Sequence, residues 1–252
     1  MAQPIRFAKQ SNASKQRYSE LSREPLYVLL FLLPLILFYE FALYSTDKNI
    51  QIKAHDHLVR FFEQFDMPPT KGLWLGGNAI LTIFLIWHIV VGNRWVIKLK
   101  ILVYMAIESI VCAIPLLLFG AVLGGLSAVA SNSPVAGLSD FDKIAVSIGA
   151  GLYEELVFRM LIIALVHTVV CSFFKQSELA GLTIGVIISS ILFALYHDLP
   201  NAGSLSAISL FFFGIAGLYL GILYVTRGFG IAAATHAVYD IVATTILAAA
   251  PS

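Results

Sequence analysis

Charge is what this sequence has least of. Only 12% of its 252 residues are Asp, Glu, Lys or Arg, about half the share of an ordinary soluble domain, and 59% are apolar. That balance excludes a soluble enzyme, a disordered chain and a nucleic-acid binder. A net charge of +1 leaves no overall field to recruit DNA or an acidic partner. Cysteine is nearly absent too. Cys112 and Cys171 lie in separate apolar runs with no C-x-x-C pair or histidine spacing, which argues against a disulfide framework and a thiolate metal site. Both read as small buried hydrophobes. No nucleotide, haem or flavin fingerprint occurs, and no internal repeat or low-complexity segment.

What the chain has in abundance is apolar length. A helix needs about 20 residues to cross a bilayer core of about 30 Å, and seven runs qualify: Leu26–Ser45, Leu73–Gly92, Ile101–Ala128, Ile144–Cys171, Leu182–His197, Leu205–Thr226 and Gly230–Ala249. They lack the alternation of barrel strands, and in lipid each backbone must satisfy itself, so helices are the only solution. The expected fold is all-α, a polytopic transmembrane helical bundle of about seven helices, with eight as the alternative. Residues 1–25 are polar and basic and read as a retained cytoplasmic tail rather than a targeting peptide. Residues 26–143 hold the first helices and an amphipathic loop around 50–66, and residues 144–252 form the polar-bearing core.

Under seven spans, ten Lys and Arg fall on the N-terminal side and five on the other, which puts the N-terminus in the cytoplasm. In the longest loop Leu58, Phe61, Phe62 and Phe65 recur at helical spacing and predict a short helix on the membrane surface. His55, Asp56 and His57 in that loop are adjacent and point to different faces, which argues against a metal site. Gly214, Gly217 and Gly221, with Ala232, Ala233 and Ala234, mark close helix packing. Pro34 and Pro115 inside spans predict kinks. Glu108 reads as a pairing or snorkelling residue.

Function is sought in the ionisable residues that survive inside apolar runs. The fourth run holds Glu154, Glu155 and Arg159. Three central charges cost about 8 to 10 kcal/mol on an insertion scale, against about 4 to 8 returned by the fourteen Leu, Ile, Val and Phe residues of that run. Neighbouring helices must shelter them. Glu155 and Arg159 share a face at i,i+4 and read as a structural ion pair, whereas Glu154 is turned about 100° away and is left as a free carboxylate, a candidate general base. In the fifth run Phe193 precedes His197 by four residues. In the seventh, His236 and Asp240 stand at i,i+4, where the carboxylate can fix the tautomer and favour the imidazolium.

E-E-x-x-x-R, then F-x-x-x-H, then H-x-x-x-D, each in its own apolar helix, resembles the CAAX protease and bacteriocin-processing family of intramembrane glutamic endopeptidases. The resemblance covers roughly Ile144–Ala249. It implies that Glu154 and His197 polarise a water that attacks the scissile carbonyl, and that His236, supported by position 240, stabilises the oxyanion. Glu155, Arg159 and Phe193 give structural support. The last motif often ends in Asn, and here Asp240 is expected to orient His236 instead. The resemblance implies no cofactor, a membrane-anchored peptide or protein substrate, and, with the short chain, a multi-pass protein of a prokaryotic inner membrane.

Two other readings compete. Glu154, His197, His236 and Asp240 are all competent zinc ligands, so a zinc-dependent membrane protease is one; the lack of H-E-x-x-H and the engagement of Glu155 by Arg159 argue against it. A transporter or scaffold with the same fold is the other. A proton relay would string these groups across the membrane, whereas a protease must gather them around one water. Depth arithmetic puts His197 near one end of its span and His236 a third of the way in from the opposite side, so clustering requires tilted or sunken helices.

Overall fold

The computed structural model describes residues 17–45, 69–123, 138–198 and 207–247. Most of the basic tail and the surface helix expected around 50–66, with His55, Asp56 and His57, lie outside the described residues. Among the described residues there is no strand. A short α1 (Tyr18–Leu21) leads into α2 (Pro25–Ser45), α3 (Pro69–Val91) and α4 (Leu99–Val122). The long α5 (Asp140–Phe173) is followed by α6 (Glu178–Asp198), α7 (Ala207–Arg227) and α8 (Phe229–Ile241), the last prolonged by a π-helical turn, Val242–Leu247. Six of these are long and apolar enough to cross a membrane, and α3 adds a shorter apolar stretch, Gly77–Val91. The chain is a multi-pass membrane protein.

The helix ends show what an apolar-run search passes over. α5 begins at Asp140, four residues before the expected start, because the Ser139 side chain accepts from the Asp142 backbone N–H at 3.2 Å. Asp140 and Asp142 add negative charge in the first turn, where the helix dipole favours it. α5 is not a uniform α-helix either: it widens into π-helix at Leu156–Ile162 and again at Val169–Phe173. Pro34 and Pro115 both lie inside uninterrupted helices. Between α7 and α8 the chain reverses at Gly228, whose φ of +91° favours glycine.

α8 sits at the centre, packed on α5, α4, α7 and α2. Its run Ala232, Ala233, Ala234 is buried, and the contact with α5 is closed by Gly151, where a Cβ would stand 2.6 Å from the Ala233 carbonyl oxygen. Gly217 and Gly221 on α7 fit against Ser190 and Val186 of α6 in the same way. Gly214 differs from them: nothing lies within 4 Å of a Cβ there, so it serves no close approach. The main core joins Leu32, Ile36 and Tyr39 of α2 with Ile80, Phe84, Leu152, Tyr153 and Phe229. Outward-facing Ile, Leu, Val and Phe on every long helix are the surface a bilayer covers.

Glu108 is a pairing residue. Its carboxylate takes both Arg227 Nε and Nη2, the latter at 2.8 Å, and accepts from the Tyr18 hydroxyl, so α1 is tied to α4 and to the end of α7. Burial and the bond to Glu108 push the Tyr18 hydroxyl well above the ordinary phenol range. An apolar groove of about 450 Å³ lies between α2, α4, α5 and α8, lined by Phe31, Pro34, Ala106, Ile148 and Ala237. It lies on the face of α8 turned away from His236.

Candidate active site

Three helices bring ionisable side chains to one place. Glu154 and Glu155 come from the α-helical turn of α5 just before its first π-helical stretch, Arg159 from that π-helical stretch, His197 from the end of α6, and His236 and Asp240 from α8. Turns of π-helix inside α-helices occur frequently at functional sites. Here the wide turn presents Arg159 to Glu155 Oε2 at 3.1 Å and to the Gly217 carbonyl of α7 at 3.4 Å. Both members of the ion pair are fully buried. The Arg159 guanidinium also lies over the Phe193 ring, 4.3 Å from its centroid, which shields its remaining face with a quadrupole that favours cations.

Glu154 stands apart from this pair, as its rotation about the helix requires. Its Oε2 lies 3.4 Å from His197 Nε2 and 3.9 Å from His236 Nε2. That oxygen is buried and has no hydrogen-bond partner within the protein. Burying a carboxylate oxygen is costly, and the two imidazoles are the groups that face this one. His197 Nδ1 is 3.0 Å from the Phe193 carbonyl, a contact that assigns the proton to Nδ1 in the neutral ring and leaves Nε2 toward Glu154 as an acceptor. The imidazole is held flat by Phe213 of α7, stacked at 4.2 Å between centroids.

His236 is gripped on both nitrogens. Nδ1 meets Glu155 Oε1 at 2.9 Å, and Nε2 lies 3.4 Å from Asp240 Oδ2. The i,i+4 relation with Asp240 is the one visible in the sequence. The contact with Glu155 is shorter, bridges 81 residues and makes Glu155 a shared support for Arg159 and His236. Neither this contact nor Phe213 is foreseen by sequence reasoning, since no local period encodes the first and the second sits in a run of three Phe.

The six ionisable groups singled out in the sequence therefore lie in one cluster, not in a chain across the membrane. As donors, Glu154, His197, His236 and Asp240 could in principle face a cation, although Asp240 and His236 already occupy each other.

Among the described residues, an all-helical bundle holds a buried carboxylate beside two imidazoles. Residues 141–242, which contain the whole cluster, match the family described as Type II CAAX prenyl endopeptidase Rce1-like. That stretch is similar to the domain of this CAAX protease family, a family of peptide hydrolases. No curated protein and no solved structure matches the chain.

Proposed function

We propose that the protein is an intramembrane glutamic endopeptidase that cleaves a membrane-anchored or lipidated protein or peptide. The observation that supports this best is the approach of Glu154 Oε2 to both His197 Nε2 and His236 Nε2 within 4 Å. In this reading a water bound between Glu154 and His197 gives its proton to Glu154 as its oxygen attacks the scissile carbonyl. The oxyanion is met by the Nε2–H of His236 as imidazolium, its Nδ1–H already committed to Glu155. Glu154 then delivers the proton to the departing amine, so that peptide and water become acid and amine. The orientation of the His236 ring rests on Glu155, and Asp240 trims the position of Nε2.

The reading carries a location: a prokaryotic inner membrane, with the N-terminus cytoplasmic, as the Lys and Arg distribution favours. It also carries independence from metal. The test compares wild type with Glu154→Ala, His197→Ala and Glu155→Ala in liposomes on a panel of membrane-anchored peptides, with excess chelator throughout and folded protein followed by chromatography. Cleavage that survives chelator and vanishes in the Glu154 and His197 variants, both folded, is the expected result. Loss with chelator and recovery with zinc would instead select the zinc-dependent reading.

A further inference from the structure

Away from the catalytic cluster, the turn joining α5 to α6 gathers three side chains of metal-binding type. His167 and Cys171 are four residues apart near the end of α5, a spacing that is easily passed over when Cys171 is taken for a buried hydrophobe; the thiol is in fact only half-buried. The π-helical turn Val169–Phe173 ends in a tight reversal: the Phe174 N–H bonds to the Val169 carbonyl, the Gln176 N–H to the Val170 carbonyl, and Lys175 takes a φ of +54°. That left-handed conformation costs a residue with a Cβ about 1 kcal/mol or more. It turns the chain back so that Glu178, the first residue of α6, meets His167, with Oε2 and Nε2 2.6 Å apart. Ser177 caps α6 through the Ala180 N–H, and its carbonyl accepts from Cys171 Sγ at 3.5 Å.

Nε2 of His167, Sγ of Cys171 and a Glu178 carboxylate oxygen all lie within 4.8 Å of one another. A second feature belongs to the same place. A Cβ on Gly181 would stand 2.5 Å from Cys171 Sγ and 2.9 Å from His167 Cδ2. The bare glycine is what lets the thiol and the imidazole lie side by side against α6. A His–Glu ion pair alone would need neither the thiol nor that space.

We propose that His167, Cys171 and Glu178 bind one divalent cation of the zinc type, with the fourth position open to water. One imidazole, one thiolate and one carboxylate form a borderline-soft set, suited to zinc and unlike the all-oxygen shells of magnesium or calcium. Tetrahedral zinc needs ligand atoms about 3.3 to 3.6 Å apart, so the set draws in by little more than about 1 Å on the thiol side while the His167–Glu178 pair opens slightly. The exposed Glu178 side chain has that freedom. On binding, the Cys171 thiol proton passes to solvent and the bond to the Ser177 carbonyl gives way to a metal–sulfur bond. The site is separate from the catalytic one, since Glu154 lies thirteen residues earlier on α5, about 20 Å away along the axis. Its effect is to clamp the α5–α6 hairpin, whose other end presents Glu154 and His197.

The full-length protein in detergent, stripped with chelator, is titrated with Co²⁺ and followed by absorption. Wild type is expected to show a thiolate-to-cobalt charge-transfer band that saturates at one ion per chain and disappears on adding Zn²⁺. Cys171→Ser loses the band, and Cys112→Ser keeps it. His167→Gln retains the thiol yet loses saturation at one ion, which carries the test should Cys171→Ser fail to fold. Zn²⁺ raises the unfolding temperature of wild type and Cys112→Ser, and leaves that of His167→Gln unmoved. Folded wild type without the band, or a band that persists in Cys171→Ser, would overturn the proposal. Because the catalytic cluster contains no sulfur, the band reports on this site whatever the fate of the protease reading.

Discussion

Glu155 and Asp240 both touch His236, and the geometry ranks them. Glu155 is fully buried, pairs with Arg159 and accepts from Nδ1, whereas Asp240 is partly exposed and reaches only Nε2. Removing Glu155 leaves a buried guanidinium without its counter-charge, a loss of about 3–5 kcal/mol in comparable cases. Glu155→Ala is therefore expected to show its defect first in thermal unfolding and yield of folded protein. Asp240→Asn should keep most of its activity, because Glu155 continues to orient and charge-balance the imidazolium. Measuring kcat/KM and unfolding temperature for both variants separates the roles, and an inactive but stable Asp240→Asn would shift the orienting role to Asp240.

At the scale of helices, the site depends on how near α5 comes to α8. Gly151 faces backbone atoms of α8: a Cβ there would stand 2.6 Å from the Ala233 carbonyl oxygen and 2.8 Å from the Ala237 nitrogen, and backbone cannot rotate out of the way. Gly151→Ala should force the helices apart, costing about 1–3 kcal/mol of stability. Drawing His236 back from Glu154 by 1 Å would cost about 100-fold in rate. Gly214→Ala, where nothing lies within 4 Å, is the matched control and should leave both unchanged. These two glycines look alike in the sequence. Which one matters is decided by a neighbour about 80 residues away, and local pattern carries no record of it. The pairs at i,i+4, Glu155 with Arg159 and His236 with Asp240, were legible for the opposite reason: helix geometry alone puts them side by side. Helix existence was legible because lipid demands long apolar runs, while the start of α5 was not, since a Ser cap and two Asp residues belong to no apolar run.

Taken whole, the molecule is a set of helices around α8, with its polar chemistry inside and its apolar side chains out. Most spans suit a bilayer: α2 and α7, at 21 residues each, measure about 32 Å. α5, at 34 residues, would measure about 51 Å as a uniform α-helix and is somewhat shorter with its two π-helical stretches, and an ordinary tilt of about 20° shortens its projection only slightly. The helix that carries both glutamates therefore has hydrophobic mismatch built into it. Its tilt, and with it the placing of Glu154 beside His197, should answer to membrane thickness more than any other part of the fold. In phosphatidylcholine vesicles of short, medium and long acyl chains, turnover is expected to pass through a maximum while the amount of folded protein stays level; a flat profile would mean that the surplus length of α5 stands clear of the lipid. A maximum would make bilayer thickness a control on the proposed catalysis that acts without any ligand, by setting the angle of one helix.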